Sequence, residues 1–562
     1  MTTGKALNGK PYAGNPHVRF DEGAGAPRHS GRSALLYMHQ MTRLPNLALT
    51  REGLSQAVVG LTAVLSIMAA GGAAPKTATI IPAPREMRVT GGEYVAEKPP
   101  TLEKVDGIPR EGYEISITTN GITIRHSDDA GAYYANMTLF HSGRWDAKAK
   151  CKAYPCLEIR DWPQFEWRGV HLDDARHFFG KDTVMRLLEQ MSWFKFNVFH
   201  WHLTDAESWT LEIPGYPELV KRGGVWGGRN VRELHPMGEK VGPFHYTAND
   251  VREILAYAKA RHIKVVPEID FPGHFLCAGC AYPELCCNPE EIHKAGRQPV
   301  KSLELSSVMC VGNPKAIKFM EDVLDYVCGL FPGDVVHIGG DECSRKSWTT
   351  CPKCQALIKK EGLKGVEELQ PWLTRHFVEY LAKKGKRTIG WDEIFMSSSW
   401  TKWGDFMKAG GDSFSSLLPK TTMGMCWRTW GAGPRAANKG YGIVQCPMSH
   451  CYFDYGQGLS EDPYFYIGGK LPLERVYTFD PFAGVDAGAR KNVMGGQCCN
   501  WASHTSCRFD LEWKLWPRGF ALAEVLWTYP DPAKRDFKEF SVRAAEYRRR
   551  LVAAHVNCAP LK

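Results

Sequence analysis

Apolar and polar positions change period along the chain. Over residues 114–118 and 121–125 apolar residues alternate with polar ones, the period of half-buried strands, and a helical stretch follows over 130–139. This pattern predicts a small α/β domain over residues 75–160. From Trp167 onward, short β-rich runs alternate with helical ones. The runs 169–172, 197–202, 263–269, 335–338, 388–391, 422–427, 442–446 and 493–501 predict strands. Between the first two, Val184, Leu187, Leu188, Met191 and Phe194 fall on one helical face. Eight strands with helices between them predict an α/β fold, a (β/α)8 TIM barrel over residues 161–530 that follows the small domain. Residues 531–562 are a tail whose charged helix, over 533–556, is expected to pack on the outside.

The chain has 562 residues, 44% of them hydrophobic and 23% charged, which excludes a mainly disordered, collagenous or coiled-coil protein. Eighteen tryptophans suit a site that grips flat apolar faces. The net charge of +9 includes a basic excess in residues 1–56, where seven basic residues face three acids. No Lys/Arg run is interleaved with aromatics, so no nucleic-acid partner is expected. Residues 57–70, AVVGLTAVLSIMAA, follow Arg43 and Arg51 and precede Gly71-Gly72-Ala73-Ala74-Pro75. That run is short for a bilayer span and ends in small residues, as a secretory signal cleaved near residues 72–74 would. A buried helix is the alternative. Residues 1–74 are thus expected to be an extension and signal segment, with Met38 or Met41 as candidate starts. The mature protein is expected to be exported, periplasmic or secreted, with no membrane span.

In a barrel of this kind the site forms at the C-terminal ends of the strands. The first five predicted strands run into Asp173-Asp174-Ala-Arg176-His177, His200-Trp-His202-Leu-Thr-Asp205, Glu268-Ile-Asp270-Phe-Pro-Gly-His274, His337-Ile-Gly-Gly-Asp341-Glu342 and Trp391-Asp392-Glu393. The last three end at Trp427, before Tyr452-Phe-Asp454, and at Trp501. Titratable and aromatic residues thus converge at one end. Asp341-Glu342 is the sharpest element. Gly339-Gly340 is expected to let the backbone approach a ligand closely. Repulsion between adjacent, partly buried carboxylates is expected to raise one pKa, leaving a protonated acid beside an ionised partner. Glycoside cleavage needs such a pair, because the leaving oxygen must be protonated while positive charge grows on the sugar. A metal site and a surface turn are the other readings of this motif alone.

The segments Arg168-Gly-Val-His-Leu-Asp-Asp-Ala-Arg176-His177-Phe, Asn197-Val-Phe-His-Trp-His-Leu-Thr-Asp205, His337-Ile-Gly-Gly-Asp341-Glu342 and Ser449-His-Cys-Tyr452-Phe-Asp454 closely resemble motifs of the family 20 glycoside hydrolases, the β-N-acetylhexosaminidases. The resemblance covers roughly residues 79–530. It implies an exo-acting retaining enzyme that removes terminal GlcNAc or GalNAc from glycans, with no cofactor and no metal. The substrate's own 2-acetamido oxygen would attack the anomeric carbon and form an oxazolinium intermediate. Glu342 matches the general acid and later base, Asp341 the residue that holds the acetamido N–H, and Tyr452 the donor to the acetamido oxygen. Trp391, Trp427 and Trp501 match the walls of the acetamido methyl pocket. Arg176 matches a contact to the 3- and 4-hydroxyls, and Asp454 a contact on the far side of the ring. Asp205 and His274 match a polar pair behind the acid. His200, His202 and Glu268 are expected to support these groups.

The sequence departs from the family at strand eight. The family's tryptophan is usually followed by a glutamate that contacts the 4- and 6-hydroxyls, whereas here Trp501-Ala502-Ser503-His504 puts Ser503 in that place. A carboxylate would repel an anionic sugar and Ser503 would not, so altered tolerance at O4 or O6 is expected, up to 6-sulfo-GlcNAc. The alternatives are the same chemistry on chitobiose or lacto-N-biose, a non-catalytic glycan-binding module, and a metallohydrolase built on His200, His202 and Asp205. Eighteen cysteines leave three readings open. Cys277-Ala-Gly-Cys280 and Cys351-Pro-Lys-Cys354 have the spacing of zinc ligands, they suit disulfides in an exported protein, and they also suit buried thiols. Asn136-Met-Thr138 is a glycosylation sequon on a helix predicted to be packed.

Overall fold

The computed structural model describes residues 79–561, apart from 224–225, 228–239, 242, 298–302, 304–305, 397–413, 429–430, 461, 465 and 467. The signal segment expected over residues 57–70 lies outside the described residues.

The small domain is a sheet of β1 (Glu86–Val95), β2 (Thr101–Lys104), β3 (Tyr113–Thr118), β4 (Gly121–His126), β5 (Arg144–Asp146) and β6 (Cys151–Asp161). The order is β1-β6-β3-β4-β2, with β5 also on β6. β2 and β4 run parallel and the other pairs antiparallel. The alternation read in β3 and β4 puts Tyr113, Ile115, Ile117, Ile122 and Ile124 on one buried face. Helix α1 (Asp129–Ser142) covers that face with Tyr134, Ala135 and Leu139, and Asp128 caps it by accepting from the Gly131 N–H.

The barrel follows. Its strands are β7 (Trp167–Asp173), β8 (Val198–His202), β9 (Lys264–Glu268), β10 (Val335–His337), β11 (Arg387–Trp391), β12 (Met423–Cys426), β13 (Gly442–Gln445) and β14 (Val493–Cys498). They pair in parallel in chain order, and β14 closes on β7. All eight lie within a few residues of the predicted runs, and the (β/α)8 expectation is met. Each strand is buried on both sides, which is why each reads as an apolar run. Helix α2 (Gly180–Trp193) buries Val184, Leu187, Leu188 and Met191, the face its periodicity predicts. Helices α3 (Pro314–Leu330) and α4 (Pro352–Glu361) flank β10 in the chain, and both begin with a proline at the first helical position. Helix α5 (Arg518–Trp527) is buried throughout, and α6 (Phe537–Ala553) is the tail helix. α6 buries Phe540, Ala544, Tyr547 and Leu551 and reaches both domains: Arg543 pairs with Glu524 of α5, and Arg550 Nη1–H donates to His141 O of α1.

The two domains share a buried polar junction. Asp161, at the end of β6, accepts from Tyr113 Oη at 2.5 Å, Trp527 Nε1 at 2.9 Å and Lys195 Nζ at 3.0 Å. No helix among the described residues is long and apolar enough to cross a membrane.

Candidate active site

β10 hands the chain to Ile338-Gly339-Gly340-Asp341-Glu342. Gly339 and Gly340 have φ of +62° and +96°. A Cβ on Gly339 would stand 1.7 Å from Asp270 Oδ1, and one on Gly340 2.5 Å from Ile394 Cγ2. The glycines therefore let the loop close onto neighbouring strand ends. The Gly340 N–H donates to Asp270 Oδ1 at 3.0 Å, and Gln370 Nε2 donates to Gly340 O at 2.5 Å. Glu342 and His274 are held at φ of +44° and +48°. Left-handed backbone is uncommon for such residues and concentrates at functional sites.

Within the pair, Asp341 is buried, whereas the Glu342 side chain keeps 25% of its surface exposed. Burial pushes the Asp341 carboxyl well above the usual range. Asp270, Glu393 and Glu342 add to that rise, and His274 opposes it. Asp341 Oδ1 has no hydrogen-bond partner among the described residues. His274 Nε2 lies 3.6 Å from Asp341 Oδ2 and 3.5 Å from Glu342 Oε2, and its Nδ1 lies 2.9 Å from Asp205 Oδ1. Burial alone would lower the His274 pKa, but Asp205 and Asp341 carry it well above the ordinary value. The ring is an imidazolium between three carboxylates.

Asp205 sits behind that ring. It meets Arg176 Nη2 at 2.7 Å and His202 Nε2 at 2.9 Å, and accepts from the Ala206 N–H at 2.5 Å. Burial works against its charge, but Arg176 and His274 hold the carboxyl well below its usual range. Both oxygens face protein groups, so Asp205 positions His274 and Arg176 and is turned away from the mouth. Arg176 is also held by Glu207 at 3.0 Å and Asp173 at 3.4 Å, and lies over the Trp501 ring at 5.2 Å.

Glu268 organises the barrel lumen below. It lies 2.6 Å from His202 Nδ1, 3.0 Å from His200 Nε2 and 3.0 Å from His337 Nδ1, and accepts from Trp391 Nε1 at 2.7 Å. Burial disfavours the His202 cation, yet Glu268 and Asp205 raise its pKa well above normal. His202 Nδ1 and Nε2 thus each face a carboxylate, Glu268 on one side and Asp205 on the other.

Aromatic side chains gather at the ends of the later strands. Trp427 and Tyr452 stack with centroids 6.0 Å apart at 23°, Tyr452 lies 6.4 Å from Trp501, and Trp501 lies 5.5 Å from Trp391. Trp391 is fully buried and forms the floor behind Trp501. Asp454 is buried and its pKa is pushed up to about 7, chiefly by burial, with Lys514 and Arg518 opposing. Its Oδ1 has no partner among the described residues.

Two residues were not singled out from the sequence. Glu393 accepts from Trp427 Nε1 at 3.0 Å and Arg428 Nη2 at 2.5 Å, and lies 3.5 Å from the Glu342 N–H. Asp270 holds the glycine turn. Glu393 belongs to a second adjacent acid pair at a strand end, and that signal was available. Of the three readings open for the cysteines, the structure has no disulfide: all eighteen are unbridged. Cys277 and Cys280 lie in the short helix Leu276–Ala281, apart from Cys351 and Cys354, which gather with Cys287 and Cys310.

A parallel eight-stranded barrel with an acid pair, a cationic relay and an aromatic wall at its strand ends is the architecture of a barrel glycoside hydrolase. Residues 165–530 match the model described as glycosyl hydrolase family 20, catalytic domain, and residues 99–162 match glycosyl hydrolase family 20, domain 2. The chain belongs to glycosyl hydrolase family 20. It is 35% identical over 445 residues to a β-hexosaminidase of Porphyromonas gingivalis, covering 78% of this chain and 53% of that protein. It is 33% identical over 444 residues to a β-hexosaminidase of Vibrio furnissii, covering 77% and 67%. The chain thus spans about half the length of the Porphyromonas relative. Among solved structures it is similar to the exo-β-N-acetylglucosaminidase of Vibrio harveyi in complex with N-acetylglucosamine. That likeness has a TM-score of 0.74 at 26% identity and covers 87% of this chain and 80% of that one.

Proposed function

We propose that the protein is an exo-acting, retaining β-N-acetylhexosaminidase that removes terminal GlcNAc or GalNAc from glycans. The observation that carries this reading is the Asp341–Glu342 pair, one buried carboxyl with an uncommitted oxygen beside one half-buried carboxyl, in a barrel whose later strand ends gather Tyr452, Trp427 and Trp501. Family membership and the names of the relatives support the same class of substrate.

In this reading the acetamido carbonyl oxygen bonds to C1 as the C1–O bond to the leaving group breaks. Glu342 passes its proton to that leaving oxygen. Asp341 Oδ1 accepts the acetamido N–H and offsets the charge that grows on the ring. The burial that raises its proton affinity in the free protein also strengthens this interaction. Tyr452 donates to the acetamido oxygen, and Trp427 and Trp501 keep the acetamide aligned and dry. A nucleophile tethered to the sugar removes much of the orientational cost. Water then attacks C1, Glu342 takes its proton, the bond from C1 to the acetamido oxygen breaks to restore the amide, and the product keeps the β configuration.

Ser503 supports one narrower reading, altered tolerance at O4 or O6: a galacto configuration, a substituted O6, or a sulfated sugar such as 6-sulfo-GlcNAc. The apolar run at 57–70 supports export of the mature protein. A panel of chromogenic GlcNAc, GalNAc, 6-sulfo-GlcNAc and glucose glycosides tests the function. Turnover is expected on the N-acetylated sugars only and is expected to fall by about 10²–10⁴-fold in Glu342→Gln. Equal hydrolysis of plain glucosides, which lack the amide, would overturn the mechanism. Tight binding without turnover would favour the binding-module alternative. Ordinary GlcNAc preference with no activity on O6-modified sugars would remove the Ser503 reading.

A further inference from the structure

Three separate segments bring four cysteine sulfurs within 4.8 Å of one another. Cys310 Sγ lies 3.6 Å from Cys351 Sγ and 3.9 Å from Cys354 Sγ, and Cys287 Sγ lies 3.8 Å from Cys354 Sγ. A disulfide would hold two sulfurs at about 2.05 Å. A tetrahedral ion with Zn–S bonds of about 2.3 Å places neighbouring sulfurs about 3.8 Å apart, the spacing seen here. A polynuclear iron–sulfur cluster sets several irons and sulfides between its cysteines and needs a wider cage. Cys310, Cys351 and Cys354 are buried, and Cys287 is half-buried.

The local backbone suits thiolates. Cys351 is the residue at which α4 starts and Cys354 lies in its first turn, so both sulfurs sit at the positive end of a ten-residue helix. The Gly312 N–H donates to Cys354, an interaction that disperses thiolate charge. A Cβ on Gly312 would stand 2.1 Å from Lys353 O, so the Cys310-Val-Gly312 turn docks on the Pro352-Lys-Cys354 turn only because residue 312 is glycine.

We propose that Cys287, Cys310, Cys351 and Cys354 bind one structural Zn²⁺ as a tetrathiolate. Four thiols lose their protons and four Zn–S bonds form, leaving a site of net charge −2 with no oxidant or reductant involved. The ion ties the segment after β9 to the segment after β10. Those segments carry His274 and Asp341-Glu342, and they are already packed together: Trp348 Nε1 donates to Met309 O at 3.0 Å, and a Cβ on Gly273 would be 2.8 Å from Asp341 O. The zinc is thus a staple behind the acid pair with no part in the reaction. This inference does not rest on the proposed glycosidase activity.

The test is elemental analysis of the full chain, purified reduced, without chelator and with any affinity tag removed. About one zinc per chain is expected, kept in Cys280→Ser and lost at least tenfold in Cys351→Ser and Cys354→Ser. A mercurial thiol reagent should release that zinc and lower the unfolding temperature, and Co²⁺ exchanged into the site should show the visible bands of a tetrahedral thiolate complex. Mass spectrometry showing Cys310–Cys351 or Cys287–Cys354 disulfides, a metal-free wild-type chain, iron in place of zinc, or zinc that survives both serine variants would each overturn the proposal. If a serine variant fails to fold, wild-type stoichiometry and the cobalt spectrum still decide.

Discussion

At the scale of single residues the site is governed by one cation among carboxylates. His274 stands between Asp205 on one side and Asp341 and Glu342 on the other, and its positive charge is what opposes the burial-driven rise of Asp341. In the proposed mechanism Asp341 must be ionised to meet the oxazolinium. A carboxyl with a raised pKa is ionised only above that pKa, so activity is present at higher pH and is lost as pH falls through it. Removing the cation raises the pKa further. His274→Asn is therefore expected to move the acidic limb of the kcat/KM profile upward by about one to three pH units, the usual effect of an opposite charge at this range. Asparagine tolerates the left-handed backbone at this position, so the loop should survive the change. A pH-rate series checks it. A uniform loss of activity with an unmoved limb would mean that His274 acts only as a structural support. The motif residues themselves were legible because Asp341, Glu342, Tyr452 and the tryptophans sit in contiguous, recognisable strings. The Asp205–His274 pair was legible through the resemblance, whereas the role of Glu393 was less so, because no spacing in the chain reports which carboxylate faces which loop.

At the scale of elements, legibility followed burial. The eight barrel strands are apolar because both their faces are covered, and the sequence marks each of them. β2 is exposed along its whole length and β1 along most of it, so neither carries an apolar stripe to read. β6 alternates irregularly past Lys152 and Pro155, so no strand period marks it. The cysteines failed for a related reason. The Cys351–Cys354 spacing was visible, but its partners Cys287 and Cys310 come from segments 41 or more residues away, whereas the similar-looking Cys277–Cys280 pair stays apart. Helix α6 shows how a charged element can still be indispensable. Arg543 meets Glu524 at 2.5 and 2.8 Å, and Glu524 is buried with Tyr477 Oη at 3.2 Å as a weaker neighbour. Arg543→Met would leave that carboxylate without its main counter-charge, at a cost of about 3–5 kcal/mol. Thermal unfolding should show the loss, and adding Glu524→Gln should restore part of it, because the stranded charge is then gone. Kinetic constants should be unchanged, since α6 does not approach the barrel mouth through any contact described above.

At the scale of the whole molecule, the question is whether the small domain and the barrel are one cooperative body. Their junction answers through Asp161, which belongs to the last strand of the small domain but takes its charge partner, Lys195, from the turn after α2, and a further donor, Trp527, from the end of α5. Lys195 and Asp161 are both buried, and the Lys195 ammonium also lies 4.3 Å from the Trp527 ring centroid. Arg168 repeats the arrangement from β7, pairing with Glu111 at 2.7 Å and lying over Trp527 at 4.9 Å. Two buried ion pairs and a shared indole therefore cross the boundary, and separating the domains would expose all of them at once. Lys195→Met keeps most of the side chain's apolar volume but leaves Asp161 with neutral donors only, so it is expected to cost about 3–5 kcal/mol. If the domains are coupled in this way, calorimetry of the variant should still show a single transition, shifted to lower temperature. A separate early transition, with the barrel unfolding where it did before, would show instead that the small domain is held to the barrel by its apolar contacts and that the buried charges serve only their own side of the junction.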